Sequence, residues 1–216
     1  MTKLCMFDMD GTLLNTLENI GGNMNETLTE FSLAPYPIED YRYFVGNGSR
    51  VLTERVLAGR GKNTPAFFEP FFEKFSQTYA MYPDRGVTVY DGILPLLAAL
   101  KERGVLVAVC TNKPQAAAER SMRIFFDPDS YTDLLGGRAG VPLKPAPDAP
   151  LALMEKYGVT REETLFIGDS DVDMETAVAL GVRGLGALWG FRTAEELTKA
   201  GAHALLAHPL DVLKFI

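Results

Sequence analysis

Apolar positions along this chain follow two different rhythms. Lys3–Phe7, Val105–Cys110 and Thr164–Ile167 are short apolar runs bounded by polar or turn-forming residues. Runs of that length predict strands buried on both faces. Between residues 17 and 82 the rhythm changes. Leu17, Ile20, Met24, Leu28 and Phe31 recur at steps of three and four, Val51–Leu57 follows "GNGSR", and Phe68, Phe71, Phe75, Tyr79 and Tyr82 form a further stripe. That spacing predicts amphipathic helices, the first of them stopped by Pro35 and Pro37. The aromatic stripe reads as core.

After Pro83 the two rhythms alternate. "DGILPLLAALKERG" reads as a helix closed by Gly104. The strand "VLVAVC" follows, then the helix "PQAAAERSMRIFF" and a helix over Leu151–Tyr157 that ends at Gly158. "TLFIGD" is a strand ending in an aspartate. "DVDMETAVALG" is a helix with acids in its first turn and glycine at its end. "RGLGALW" and "AHALLAH" read as two more short strands, with Ala194–Ala200 helical between them. Alternating strands and helices predict an α/β fold with a parallel sheet covered on both faces. The all-helical block interrupts this pattern just after the first strand, as a second, inserted domain would. The joints fall near Leu14–Thr16 and Pro83–Arg85.

Composition narrows the partners. The chain has 216 residues, a net charge of −7 and no basic block. It is a poor match for nucleic acid or an anionic membrane. No apolar run approaches a membrane span, and Asp8 arrives too early for the apolar centre of a signal peptide. The two cysteines, Cys5 and Cys110, sit in predicted strands, as reduced core thiols do. A cytoplasmic protein is the expectation, monomeric or homodimeric.

The chemistry-bearing residues lie at or just past strand ends or in the connecting loops. They are Asp8 and Asp10, Thr111 and Asn112, Lys144, and Asp169 with Asp173. In parallel sheets ligands bind beyond the carboxyl ends of the strands, so these groups are expected to converge. Asp8, Asp10 and Asp169 brought together repel and need a cation. Hard oxygen donors with no Cys or His nearby suit Mg²⁺. Lys144 adds positive charge, while Thr111 and the amides after Asp10 can donate to a phosphate. The set reads as phosphoryl transfer.

No G-x-x-x-x-G-K-[ST] and no G-x-G-x-x-G between strand and helix is present, which argues against a P-loop or dinucleotide enzyme. The two histidines, His203 and His208, lie near the carboxyl end, so a carboxylate is the better nucleophile. Asp8 attacks phosphorus and forms an acyl phosphate. Asp10, two residues on, shuttles the proton, and Gly11 lets the backbone approach the phosphate.

These residues resemble the motifs of the haloacid dehalogenase superfamily of phosphohydrolases. "DMDGTL" at Asp8–Leu13 is similar to D-x-D-G-T-L, and "VAVCTN" ends on the second motif at Thr111–Asn112. Lys144 in "LKPAPD" resembles K-P-x-P-D, and "GDSDVD" at Gly168–Asp173 resembles G-D-S-x-x-D. The resemblance implies a Rossmann-like core over residues 1–14 and 84–216, with an inserted all-helical cap domain over 15–83. It implies that Asp8 is nucleophile and Mg²⁺ ligand, and that Asp10 is acid/base and offers its carbonyl to the metal. Thr111 would bind phosphate, Lys144 stabilise charge, Asp169 ligate the metal and Asp173 order its water shell. Asp171 falls at the variable position, as an exposed first-turn acid.

Within the superfamily, "VGNGSRVLTERVL" and the tail from Gly190 to Leu213 resemble the phosphoglycolate phosphatase branch. The expected substrate is then a small phosphorylated metabolite, 2-phosphoglycolate foremost. In "GNGSR", Gly48 and Ser49 can hold an anion at a helix amino terminus and Arg50 can pair with a substrate carboxylate. The same segment also reads as a glycine turn with Ser49 as helix cap and Arg50 in solvent. A sugar phosphomutase would carry a lysine where Gly46 stands. Nucleotide or pyrophosphate hydrolysis stays open, and a non-catalytic phosphate-binding protein is disfavoured by the filled catalytic positions.

Overall fold

The computed structural model describes residues Met1–Ile216. Six parallel strands form the main sheet: β1 (Leu4–Phe7), β4 (Leu106–Pro114), β5 (Asp133–Gly137), β6 (Thr164–Gly168), β7 (Arg183–Ala187) and β8 (Ala204–Leu206). Their spatial order is β5-β4-β1-β6-β7-β8. β1 lies between β4 and β6, with Leu4–Phe7 paired to Leu106–Val109 on one side and to Thr164–Ile167 on the other. All four of its residues are buried, as a central parallel strand requires.

Side-chain alternation along β1 divides the core. Cys5 and Phe7 face one layer, with Leu96, Leu97 and Leu100 of helix α5 (Ile93–Glu102) and Ala118 and Met122 of helix α6 (Gln115–Phe125). Leu4 and Met6 face the other layer, with Leu153 and Met154 of α7 (Asp148–Tyr157) and Ala177 and Leu180 of α8 (Asp171–Leu180). Each fully buried aliphatic side chain contributes about 1.5–3 kcal/mol, so the period-two pattern fixes β1 firmly in its register. Helix α9 (Ala194–Lys199) joins β7 to β8.

Four helices leave and return through a two-stranded antiparallel ribbon, β2 (Leu14–Asn15) and β3 (Thr88–Val89). They are α1 (Leu17–Glu30), α2 (Tyr41–Phe44), α3 (Ser49–Ala58) and α4 (Pro65–Met81). They bury their own cluster: Leu17, Ile20, Met24 and Leu28 of α1 pack with Tyr41, Leu52, Val56, Phe68, Phe71 and Phe75. One outsider joins it, Phe191 from the loop after β7.

Most elements stand where the periodicity places them, with three differences. α1 ends before Pro35: Ser32 takes a left-handed φ of 56° and the amide of Leu33 closes back on the Leu28 carbonyl. The chain-reversing bond, not proline, is the stop. Strand β5 escapes the pattern because its "DLLGG" is a half-buried edge with two glycines. The ribbon escapes it because two residues per strand carry no period.

Candidate active site

Three strand ends, one loop and the first turn of α8 supply the site. β1 delivers Asp8, whose amide donates to the Ile167 carbonyl at 2.9 Å and so ties the strand end to β6. The chain then turns: Gly11 has φ of 90° and its amide donates to the Leu14 carbonyl. A Cβ on Gly11 would stand 2.2 Å from Asp169 Oδ2, so only glycine allows the β1 and β6 ends to approach this closely. β4 delivers Thr111, Asn112 and Lys113, all buried. β6 delivers Asp169, held by the Thr12 hydroxyl at 2.8 Å and the Phe191 amide at 2.9 Å.

Asp173 stands in the first turn of α8, fully buried, and accepts from the amide and hydroxyl of Ser170 through Oδ2. Its other oxygen lies 2.6 Å from Lys144 Nζ, and the same ammonium is 2.9 Å from Asp8 Oδ1. Burial depresses the charged form of Lys144, but Asp173 and Asp8 outweigh it and hold its pKa above the usual lysine range. Burial, then Asp173, pushes the Asp8 carboxyl up to about 7 against the pull of Lys144. Asp169 is raised well above its ordinary value by burial and by Asp173 and Asp8. One ammonium does not neutralise this cluster.

The donor set fits a small hard cation. Carboxylate oxygens of Asp8, Asp169 and Asp173 lie within 4.8 Å of one another. Asp8 Oδ1 is buried, and the Lys144 ammonium at 2.9 Å is its one close polar partner. Buried acids that repel one another and share a single ammonium are what a divalent metal relieves. Asp8 and Asp169 line the cavity above the sheet and Asp173 does not, so the first two are the better placed to ligate.

A cavity of about 370 Å³ opens over these residues between the sheet and the helical block. Asp8, Asp10, Thr111, Asn112 and Asp169 line its floor, and Gly48, Ser49, Leu52, Phe72, Phe75 and Tyr79 its roof. The structure thus brings Asp8, Asp10, Thr111, Asn112, Lys144, Asp169 and Asp173 together, with Gly11 beneath them.

Arg50 is the exception. Its guanidinium pairs with Glu69 at 2.5 Å and lies 4.7 and 4.9 Å from the ring centres of Phe68 and Phe72. It points out along α4, away from the cavity. Ser49 does not cap α3 either: Gly48, at φ 85°, is the capping residue and Ser49 is the first helical one. Asn112 has a different duty from a free substrate donor. Its Nδ2 donates to the Gly46 and Lys144 carbonyls at 2.9 Å, and its Oδ1 accepts from the Lys144 amide at 2.8 Å. It fixes the Lys144 loop and ties it to the helical block. Asp171 is half exposed and faces Arg192 at 3.3 Å.

Sequence reasoning missed Lys113, whose Nζ lies 2.9 and 3.2 Å from the Asp10 carboxylate oxygens and 2.6 Å from Tyr79 Oη. The signal is a lysine one residue past Asn112, just outside the second motif. Tyr79 belongs by spacing to the aromatic core stripe, and its ring does pack on Phe75 while its hydroxyl reaches the site. Arg192 was missed as well. It is buried and donates to the Arg42 and Val45 carbonyls, a strap from the sheet to α2.

A family model described as haloacid dehalogenase-like hydrolase matches residues 5–187. Phosphoglycolate phosphatase of Rhodospirillum rubrum is 35% identical over 210 residues, covering 95% of this chain and 87% of that protein. Phosphoglycolate phosphatase of Pseudomonas putida is 33% identical over 194 residues, 88% of this chain and 71% of that protein. Among solved structures, a predicted phosphoglycolate phosphatase from Haemophilus somnus superposes with a TM-score of 0.90 at 27% identity, covering 99% and 97% of the two chains. No helix is long and apolar enough to cross a membrane.

Proposed function

The chain belongs to the haloacid dehalogenase-like hydrolases and is a phosphoric monoester hydrolase, and on that premise we propose that it cleaves a small carboxylate-bearing phosphomonoester, 2-phosphoglycolate foremost, through an aspartyl-phosphate on Asp8 with Mg²⁺ as cofactor. The observation that carries this reading is Asp8 itself: a buried carboxylate at the end of the central strand, lining the cavity, with the Lys144 ammonium 2.9 Å from its Oδ1. The names of the relatives support the substrate.

The cation would be held by the Asp8 and Asp169 carboxylates and the Asp10 carbonyl, and would supply screening between the nucleophile and the phosphate dianion. The remaining work falls to the chain. An Asp8 oxygen attacks phosphorus, and the bond from phosphorus to the ester oxygen breaks. Asp10 gives its proton to the departing alkoxide. Asp10 then takes a proton from water as that water attacks the acyl phosphate, which releases inorganic phosphate and restores the Asp8 carboxylate. Lys144 stabilises the charge that builds on the phosphoryl oxygens, and Thr111 donates its hydroxyl to one of them. Residues 15–83 act as the cap over this floor, and Phe191, packed in their cluster, seats them.

A second reading is favoured by the size and walls of the cavity. About 370 Å³ bounded by Ile20, Leu52, Phe72 and Phe75 has room for a bulkier leaving group, such as that of a nucleotide. Phosphate release with Mg²⁺ from 2-phosphoglycolate, sugar phosphates, nucleoside monophosphates and pyrophosphate separates the two, with Asp8→Asn as the blank. The reading expects phosphoglycolate to have the highest kcat/KM and Asp8→Asn to lose at least a thousandfold. A nucleotide winner would replace the substrate, and near-normal turnover by Asp8→Asn would remove the nucleophile.

A further inference from the structure

Arg50, the cation the sequence offered for a substrate carboxylate, faces Glu69 outside the cavity. Three other cations line the cavity: Lys113, Arg120 and Arg192. Two of them donate to backbone carbonyls, and Arg192 also faces Asp171. Arg120 Nη1 donates to the Ala80 carbonyl at 2.6 Å, and Arg192 donates to the carbonyls of Arg42 and Val45. Lys113 differs in kind. Its side chain is 4% exposed, and its ammonium is already bound to a carboxylate, that of Asp10. That carboxylate is the one that must reach the ester oxygen of the substrate.

We propose that Lys113, with the Tyr79 hydroxyl, is the specificity-determining pair that reads a carboxylate on the carbon next to the ester oxygen. The inference rests on the phosphatase reading above and names the feature its substrate must carry. The geometry is short-range. In a 2-phosphorylated hydroxy acid the carboxylate is separated from the ester oxygen by one carbon. A group within hydrogen-bond reach of Asp10 is therefore within reach of that carboxylate when Asp10 is at the ester oxygen. Lys113 Nζ meets this condition at 2.9 Å from Asp10. Tyr79 Oη accepts from Lys113 at 2.6 Å, which leaves its own hydrogen free to donate to the same carboxylate.

The pair also links recognition to the cap. Tyr79 is on α4 while Lys113 and Asp10 are on the sheet side, so both donors meet only with the helical block seated over the sheet. The substrate carboxylate takes over the donor now given to Asp10 Oδ2, the longer of the two contacts at 3.2 Å. Asp10 is then free to turn to the ester oxygen. A substrate lacking the carboxylate leaves Asp10 held where it is. Phe72, Phe75 and Leu52, the apolar part of the lining, offer a carboxylate no partner.

The test uses the full chain with Mg²⁺ and two esters, 2-phosphoglycolate and ethyl phosphate, which differ in the carboxylate. The readout is the ratio of their kcat/KM values in wild type, Lys113→Met, Lys113→Arg and Tyr79→Phe, with thermal melts of each. Losing a charge-assisted contact in a buried site lowers the ratio by about thirtyfold or more in Lys113→Met. Tyr79→Phe, which keeps the ring packing, lowers it by about threefold to tenfold, and Lys113→Arg recovers part of the loss. A merely structural role lowers both esters together and leaves the ratio unchanged, which would overturn the assignment. A wild-type ratio near one removes the phosphoglycolate reading and this inference with it. A high wild-type ratio that survives both Lys113→Met and Tyr79→Phe removes the inference alone.

Discussion

Lys144 Nζ stands 2.6 Å from Asp173 Oδ1, and neither side chain is more than 5% exposed. The ammonium is the one positive group in contact with Asp8 and Asp173, and it is held in place by a loop that Asn112 pins at two backbone points. Breaking a buried pair leaves the other charge stranded and costs about 3–5 kcal/mol.

Lys144→Met should therefore destabilise the metal-free protein by about 3 kcal/mol, seen as a lower urea midpoint with an unchanged slope. Added Mg²⁺ should return part of that loss, because a cation again offsets the acids. A midpoint equal to wild type in chelator would show that the lysine contributes nothing to holding Asp8 and Asp173 together.

The metal prediction has a readout that needs no turnover. Wild type should melt several degrees higher with Mg²⁺ at a hundredfold excess over its Kd, where binding to the folded state is worth about 2.7 kcal/mol. Asp169→Asn should lose most of that shift. Chelation should stop phosphate release by wild type. Equal shifts in the two proteins would place the cation elsewhere.

Arg50→Ala should change kcat/KM for 2-phosphoglycolate by less than about twofold. Its guanidinium is engaged by Glu69 and two phenylalanine rings on the outer side of α4, and the substitution removes a surface pair of small worth. A KM increase confined to carboxylate-bearing esters would show that Arg50 swings inward on binding and would return it to the site.

The difference between Arg50 and Lys113 marks where the sequence stops being legible. Strand ends are readable because buried runs are short and end on the residues that carry chemistry, so Asp8, Thr111 and Asp169 could be placed from pattern alone. Asp173 was readable as a first-turn acid, though not its closure onto Ser170. Side-chain direction on a helix is harder. Arg50 sits one residue into α3, and which way it turns depends on Glu69 and Phe72, residues of another helix. Tyr79 belongs to the aromatic stripe by spacing, and its polar tip gains a role only when the helical block lies over Lys113. The ribbon of β2 and β3 carries too few residues to show any period.

The thiols offer a test of how tightly the sheet is closed. Cys5 lies in β1 and Cys110 in β4, both buried. Burial pushes each thiol up to about 12, which the charges of Arg183 near Cys5 and Lys144 near Cys110 only partly oppose. At pH 8 about one thiol in ten thousand is then ionised, and the thiolate is the reactive form. An aromatic disulfide reagent should label neither cysteine in the native protein on the timescale on which it labels both in urea. It should also leave phosphate release intact, although Cys110 adjoins Thr111. Labelling of one cysteine at the unfolded rate would mean that its strand opens locally. If that cysteine were Cys110, the strand end that presents Thr111 and Lys113 would be mobile, and the fixed geometry argued for that pair would fall with it.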